Sequence, residues 1–179
     1  RGEIEALGRR CLTFEADVQR GQKTGFFLDQ RANRLSVGKM AAGRSVLDVF
    51  ASTGGFSVHA AAGGARSVHA VDLSEPTLGV ARRNLAHNAD LAAVAACAVT
   101  TQVDDAFDAM GELGRAGRKY DLVVVDPPSF ASKQFQGHTN AGPHGDFIHE
   151  LDQIVGKLTK TLERLGMADN TVVMFSSDN

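Results

Sequence analysis

The stretch Val46-Leu47-Asp48-Val49-Phe50-Ala51-Ser52-Thr53-Gly54-Gly55-Phe56 constrains this chain more than any other: an apolar strand, a turn of small residues, then the start of an apolar helix. Val46, Leu47, Val49 and Phe50 are β-prone and apolar enough to be covered on both faces, as strands of a parallel sheet are. The Gly54-Gly55 pair predicts a backbone that a ligand can approach closely, and the helix behind it points its free amides into that space. The stretch therefore reads as a strand-turn-helix cradle for a cofactor.

From Ser45 onward strand and helix patterns alternate. Strands are expected at Ser45–Phe50, Ser67–Val71, about Val94–Gln102 and Asp121–Val125. Helices fit between them at Phe56–Ala62, Glu75–Ala89, opened by Ser74 as N-cap with Pro76 early in the helix, and Ala106–Gly114. That order predicts parallel βαβ units, an α/β fold with a Rossmann-like sheet. Ahead of it, Gly21–Gly25 reads as the turn of a small hairpin between Leu12/Phe14 and Phe26-Phe27-Leu28. A helix from Gln30 to about Ala42 follows, capped by Asp29, stopped by Gly43, with Arg31, Arg34 and Lys39 on its solvated side.

In open parallel sheets ligands lie outside the carboxyl ends of the strands. The residues there are Asp48 through Gly55, Asp72-Leu73-Ser74, Asp104-Asp105-Ala106-Phe107 and Asp126-Pro127-Pro128-Ser129-Phe130. One acidic residue at a strand end is usually a helix cap, but four such ends on one edge suggest a site. Asp72 can accept both hydroxyl hydrogens of a ribose, and Asp105 can accept from an exocyclic amine. No G-x-G-x-x-G follows the first strand, so the glycine spacing for a pyrophosphate is lacking and a nucleoside without phosphates fits better. Together these features point to S-adenosylmethionine rather than a nicotinamide dinucleotide.

Net charge is −2, which gives no global case for nucleic acid, yet residues 1–44 carry nine Lys/Arg against five Asp/Glu and residues 134–179 carry three against six. The two cysteines, Cys11 and Cys97, are too few for a disulfide framework or a zinc site, so a reducing, cytoplasmic setting is expected. No apolar run nears the ~18 residues of a membrane span. The chain opens on Arg1 without an initiator Met and stops at Asn179, so an excised piece lacking terminal elements is expected.

Residues 20–133 resemble the class I S-adenosylmethionine-dependent methyltransferases, in the group related to large-subunit ribosomal RNA cytosine-C5 methyltransferases. The resemblance lies in Gly21-Gln22-Lys23-Thr24-Gly25-Phe26-Phe27-Leu28-Asp29-Gln30-Arg31, in Val46–Gly55 and in Asp126-Pro127-Pro128-Ser129-Phe130. It implies that Asp48 and the Thr53–Gly55 backbone hold the methionine end, Asp72 the ribose, Asp105 the adenine edge and Asp126 the substrate side. Phe50, Leu73, Ser74, Ala106 and Pro127 belong to the same cofactor set, and Lys23, Thr24 and Arg31 pack over it. The implied partner is RNA, ribosomal RNA by resemblance. The reaction of that group needs a cysteine thiolate to attack cytosine C6. No cysteine lies beyond Cys97, which is expected mid-strand as a small buried hydrophobe, and Cys11 is expected to be structural.

After about Lys133 the resemblance changes. Gly142–Asp152 and Thr171–Asn179 resemble an internal piece of arylsulfatases, which would make Asp178 and Asn179 metal ligands, although two oxygen ligands are too few for a site. His138, His144 and His149 are given loop and helix-surface roles. Phe147, Ile148, Leu151, Ile154, Val155, Leu158, Leu162 and Leu165 recur at helical spacing, Gly166 ends that helix, and Thr171–Phe175 reads as a strand. The expected organisation is a basic lead-in (1–44), a cofactor-binding core (45–133) and a tail (134–179), a candidate foreign fusion joined near Ser132–Phe135. The readings that follow are an RNA methyltransferase, an enzyme methylating exocyclic amines through Asp126-Pro127-Pro128-Ser129, a sulfatase-type hydrolase fragment, and a catalytically silent binding domain.

Overall fold

In a computed structural model of the chain, the described residues are 3–7, 10–16, 26–127, 136–164, 166, 168–170 and 173. They fall into two compact units, Arg1–Pro127 and Pro128–Asn179. The first opens with β1 (Glu3–Leu7) and β2 (Arg10–Phe14), an antiparallel pair. After a short 3-10 turn at Leu28–Gln30 come α1 (Arg31–Met40), β3 (Ser45–Val49), α2 (Gly55–Ala62), β4 (Ser67–Asp72) and α3 (Glu75–His87). Then follow α4 (Ala92–Ala96), β5 (Ala98–Val103), α5 (Ala106–Arg115) and β6 (Leu122–Val125).

The larger sheet is parallel throughout, in the order β5-β4-β3-β6. The chain steps outward from β3 to β5 and then returns to the other side of β3. Between β3 and β6 the strand order therefore reverses, the place where such sheets open a crevice. All five residues of β3 are buried, as a strand covered on both faces requires. One face packs Val46 and Val68 with Val37, Ala41, Ala60 and Ala65 of the α1–α2 side, and the other packs Leu47, Val49 and Val71 with Ala106 and Ala109 of α5. The lead-in joins this body through a third cluster, Leu12, Phe14, Phe26 and Val58.

Several expectations need correction. The hairpin is β1–β2, so Leu12 and Phe14 belong to its second strand, whereas Phe26 and Phe27 precede a 3-10 turn and form no strand. Asp29 sits inside that turn, and Gln30 takes the cap position of α1 without a side-chain capping hydrogen bond, its Oε1 accepting instead from Asn33 Nδ2 at 2.7 Å. Arg34 is buried, not solvated, at 2% exposure. The third strand is shorter than expected because Ala92-Ala93-Val94-Ala95-Ala96 forms a helical turn, which leaves Cys97 at its end and ahead of β5. Cys11 is exposed. Ser74 caps α3 as expected, its Oγ accepting from the Thr77 amide at 3.4 Å.

In the second unit α6 runs Gly142–Arg164, and Asp146 is its buried carboxylate. The amides of Gly137 and Thr139 donate to Asp146 at 2.6 and 2.8 Å and hold its carboxyl below the usual range. His138 and His149 stack with ring centroids 6.3 Å apart. Val173 is not in a strand, and the remainder of Thr171–Phe175 lies outside the described residues, as do Asp178 and Asn179. No helix among the described residues is long and apolar enough to cross a membrane.

Candidate cofactor site

Asp48 lies within β3 rather than after it, and its side chain is fully buried. Ser57, in the first turn of α2, donates its Oγ to Asp48 Oδ2 at 2.6 Å, so strand and helix are tied across the loop that joins them. Oδ1 has no hydrogen-bond partner. Burial pushes this carboxyl up to about 7; the Ser57 hydrogen bond opposes the shift, and the charges of Asp126 and Asp72 add to it. A buried acceptor left open beside two further carboxylates is costly for the protein alone, and a bound cation or donor would relieve it.

The loop after β3 is held in a demanding backbone. Phe50 and Ser52 have φ of 63° and 49°, a left-handed region in which side-chain-bearing residues cost roughly 1–2 kcal/mol. Asp72, at the end of β4, compensates: its Oδ2 accepts the Ser52 amide at 2.8 Å, and its Oδ1 accepts the Ser74 amide at 2.9 Å and the Thr77 hydroxyl at 3.2 Å. Asp72 thus shapes two strand-end loops at once. Oδ1 takes two donors, and Oδ2 keeps lone-pair capacity toward a ligand hydroxyl.

Gly54 and Gly55 have a cause other than an approaching ligand. Gly54 has φ 78°, and a Cβ on it would lie 2.7 Å from Ala81 Cβ of α3; a Cβ on Gly55 would lie 3.0 Å from Arg34 Cδ of α1. Both glycines let helices close on the loop. Thr53 is buried, and its carbonyl accepts from Asn84 Nδ2 at 2.8 Å. The side-chain carbonyl of Asn84 in turn accepts the Glu15 amide at 2.7 Å. Asn88, one turn on, accepts the Thr13 amide and donates to the Thr13 carbonyl, both at 2.8 Å. Two buried asparagines, Asn84 in α3 and Asn88 at its C-cap, therefore lock the lead-in hairpin, and Asn84 also holds the loop after β3.

Arg34 performs a similar join. Its guanidinium lies over the Phe26 ring, 4.2 Å from the centroid, and Nη1 donates to the Phe27 carbonyl at 2.6 Å. Arg34→Ala is expected to lower the unfolding free energy by about 2–3 kcal/mol, because a half-buried carbonyl and a buried aromatic face lose their cation together. An unchanged urea midpoint would refute that role.

At the remaining strand ends the side chains are more open. Asp105 caps α5, accepting the amides of Phe107 and Asp108 at 2.8 and 3.3 Å, and it is exposed; Ala106 behind it is buried. Leu73 is 74% exposed and Phe107 44%, and the Phe107 ring meets Phe50 edge-on at 6.3 Å. These side chains offer apolar surface beside Asp72 and Asp105 for a flat heterocycle. Asp126 and Pro127 follow β6 and are half-buried, while Lys23, Thr24, Pro128, Ser129 and Phe130 lie outside the described residues. The fold thus brings Asp48, Phe50, Thr53, Asp72, Leu73, Ser74, Asp105, Ala106 and Asp126 to one edge. Sequence reasoning missed Ser57, Asn84, Asn88 and Ala81, whose parts depend on contacts between elements.

A parallel sheet with carboxylates and apolar side chains at its topological switch point defines an α/β domain of the nucleoside-cofactor-binding class. The model of the S-adenosylmethionine-dependent methyltransferases matches residues 3–141, and the chain belongs to that family. The match extends past the boundary at residue 133 expected from the sequence. A ribosomal RNA large subunit methyltransferase of Deinococcus radiodurans is 48% identical over 133 residues, covering 74% of this chain and 32% of that protein. Ribosomal RNA large subunit methyltransferase I of Tolumonas auensis is 41% identical over 125 residues, covering 70% and 30%. Among solved structures, a methyltransferase complexed with SAH superposes with a TM-score of 0.59 at 34% identity, covering 69% of this chain and 32% of that one. An S-adenosylmethionine-dependent methyltransferase from Streptococcus mutans gives 0.58 at 34%, covering 66% and 31%. The chain spans about a third of the length of the curated relatives it matches.

Proposed function

We propose that this chain is the S-adenosylmethionine-binding core of a methyltransferase that acts on RNA, with ribosomal RNA as the substrate class and the cytoplasm as its setting. The observation that carries the reading is Asp48, fully buried with Oδ1 unpartnered, beside Asp72 and Asp126 at the β3–β6 crevice. The residues fit the cofactor. Asp48 and the Thr53–Gly55 backbone would take the cationic methionine end, Asp72 the ribose, and Leu73, Phe107 and Asp105 the adenine. The cofactor supplies a methyl group made electrophilic by its sulfonium. The carboxylates bind and orient that cation, the Phe50–Phe107 edge limits water around the ring, and Asp126 stands toward the substrate.

The methylated atom is a narrower proposal. Attack on cytosine C6 needs a thiolate near the strand ends, but Cys97 precedes β5 at the opposite edge, half-buried with its thiol pushed up by burial, and Cys11 is exposed on β2. Neither cysteine stands at the candidate site. Asp126–Pro127 supports the alternative, methylation of an exocyclic amine whose hydrogens a carboxylate and a carbonyl would accept; separating C5- from N-methylated nucleosides in digested product RNA decides between the two. The sulfatase reading of residues 134–179 rests on sequence resemblance alone, and its first eight residues fall inside the methyltransferase match.

Calorimetry tests the cofactor assignment. Asp72→Ala is expected to weaken S-adenosylmethionine binding at least tenfold, since it removes the ribose acceptor and releases the Ser52 and Ser74 amides together. Wild-type affinity in that variant would remove the assignment.

A further inference from the structure

Because the strands of the large sheet are parallel, their amino ends share the edge opposite the candidate site. Charge is divided between these edges. The carboxyl edge gathers the acidic residues described above, whereas Lys39, Arg44, Arg66, Arg115, Arg118 and Lys119 all lie at or beside the amino edge and are exposed. The placement is fixed by the backbone: Arg44 and Arg66 directly precede β3 and β4, the Arg66 amide donates to the Arg44 carbonyl at 2.8 Å, and the Arg118 amide donates to the Leu113 carbonyl at 2.9 Å where α5 returns toward β6. Asp121 is the acidic residue among them; its carboxylate accepts the Ser45 amide and hydroxyl and pairs with Arg66 Nη2 at 3.2 Å. Glu112, exposed in the last turn of α5, and Asp90, in the turn after α3, are further acids toward that edge.

We propose that this amino edge is an anchoring surface for the phosphate backbone of RNA flanking the target nucleotide. The proposal rests on the reading of RNA as the substrate. An acidic carboxyl edge suits a cationic cofactor but repels a polyanion, so the counter-charge for phosphates must come from elsewhere. Strands of five or six residues separate the two edges by roughly 20 Å, which places the anchor on RNA outside the reacting site. Arginine suits such contacts, since its fork of donors matches phosphate oxygens and it keeps its charge at any relevant pH.

The test uses this 179-residue chain and a fluorescein-labelled 30-nucleotide single-stranded RNA, with affinity measured by anisotropy across a salt series. Arg118→Glu/Lys119→Glu is expected to weaken binding roughly tenfold at low salt and to reduce the slope of log affinity against log salt by about 1.4, at ~0.7 for each single-strand phosphate no longer neutralised. The comparison is Arg82→Glu/Arg83→Glu on α3, which changes net charge equally away from the edge and is expected to leave the slope near wild type. Equal weakening in both double variants, or no change in the first, would overturn the anchor. Calorimetry with S-adenosylmethionine on the same proteins separates this from the functional reading: unaltered cofactor binding with an unaltered salt slope rejects the anchor alone, and no cofactor binding by the wild type rejects the methyltransferase core.

Discussion

Asp48→Asn is expected to lose stability relative to wild type near pH 5 and to regain most or all of it by pH 8. The Asp48 carboxyl titrates at about 7 in the folded chain against 3.8 for an unperturbed aspartate. Between those values the folded state holds a proton that the unfolded state has released. Folding stability therefore falls as pH rises from about 4 to about 7, by ~1.36 kcal/mol per unit, and levels off above. From pH 5 to pH 8 the wild type should lose about 2–3 kcal/mol through this group. Asparagine does not titrate, so urea denaturation of both proteins at the two pH values isolates the effect, most other groups cancelling in the difference. At pH 5 the amide leaves an N–H without a partner in a buried place, which costs about 1–3 kcal/mol. A wild-type-to-variant difference independent of pH would sink the account. The same carboxyl links stability to binding: a cation beside Asp48 favours its ionised form, so affinity for S-adenosylmethionine should rise from pH 6 to about 7 in the wild type and lose that dependence in Asp48→Asn.

The βαβ order is legible in the sequence because each of its signals is local. Val46–Val49 is a buried run, Ser74 and Pro76 mark a helix start, and the carboxylates at Asp72, Asp105 and Asp126 sit where strands give way to loops or helices. The failures fall where local signals are silent or ambiguous. Ala92–Ala96 is a short apolar run that periodicity alone cannot assign, and alanine's helix preference prevails over the strand reading. Arg34 sits on a helix face that composition marks as solvated; the Phe26 ring and Phe27 carbonyl, brought over it by the lead-in, help make its burial favourable. For Asp48 the strand-end pattern misses the setting, because nothing in Leu47-Asp48-Val49 shows that the carboxylate faces a helix start. The Gly54-Gly55 pair suggests backbone openness, yet its spaces belong to Ala81 and Arg34, residues 27 and 21 positions away in the sequence.

That last difference supplies the most demanding test of the loop. Gly54→Ala places a methyl group 2.7 Å from Ala81 Cβ and 3.1 Å from its Cα, and it does so at φ 78°. The backbone conformation alone costs alanine about 1 kcal/mol, and overpacking a filled site adds about 1–3 kcal/mol, so a loss of roughly 3 kcal/mol is expected by urea denaturation. Ala81→Gly should partly suppress it. Alone, that change costs about 1 kcal/mol for glycine in a helix, plus any loosened packing at a fully buried position. Combined with Gly54→Ala it vacates the contested space, so the double variant should be about 1–2 kcal/mol more stable than the two single losses predict, with the residual deficit set by the left-handed backbone. Strict additivity would show that Gly54 is required for its backbone conformation alone and that α3 does not bear on the loop. The steric account makes a second demand. Asn84 follows Ala81 by three residues on α3 and holds the Thr53 carbonyl, so a displaced α3 shifts the loop that would cradle the cofactor. Affinity for S-adenosylmethionine should then fall in Gly54→Ala and recover in the double variant in step with stability; recovery of stability without affinity would place the cofactor's need for Gly54 in its backbone conformation instead.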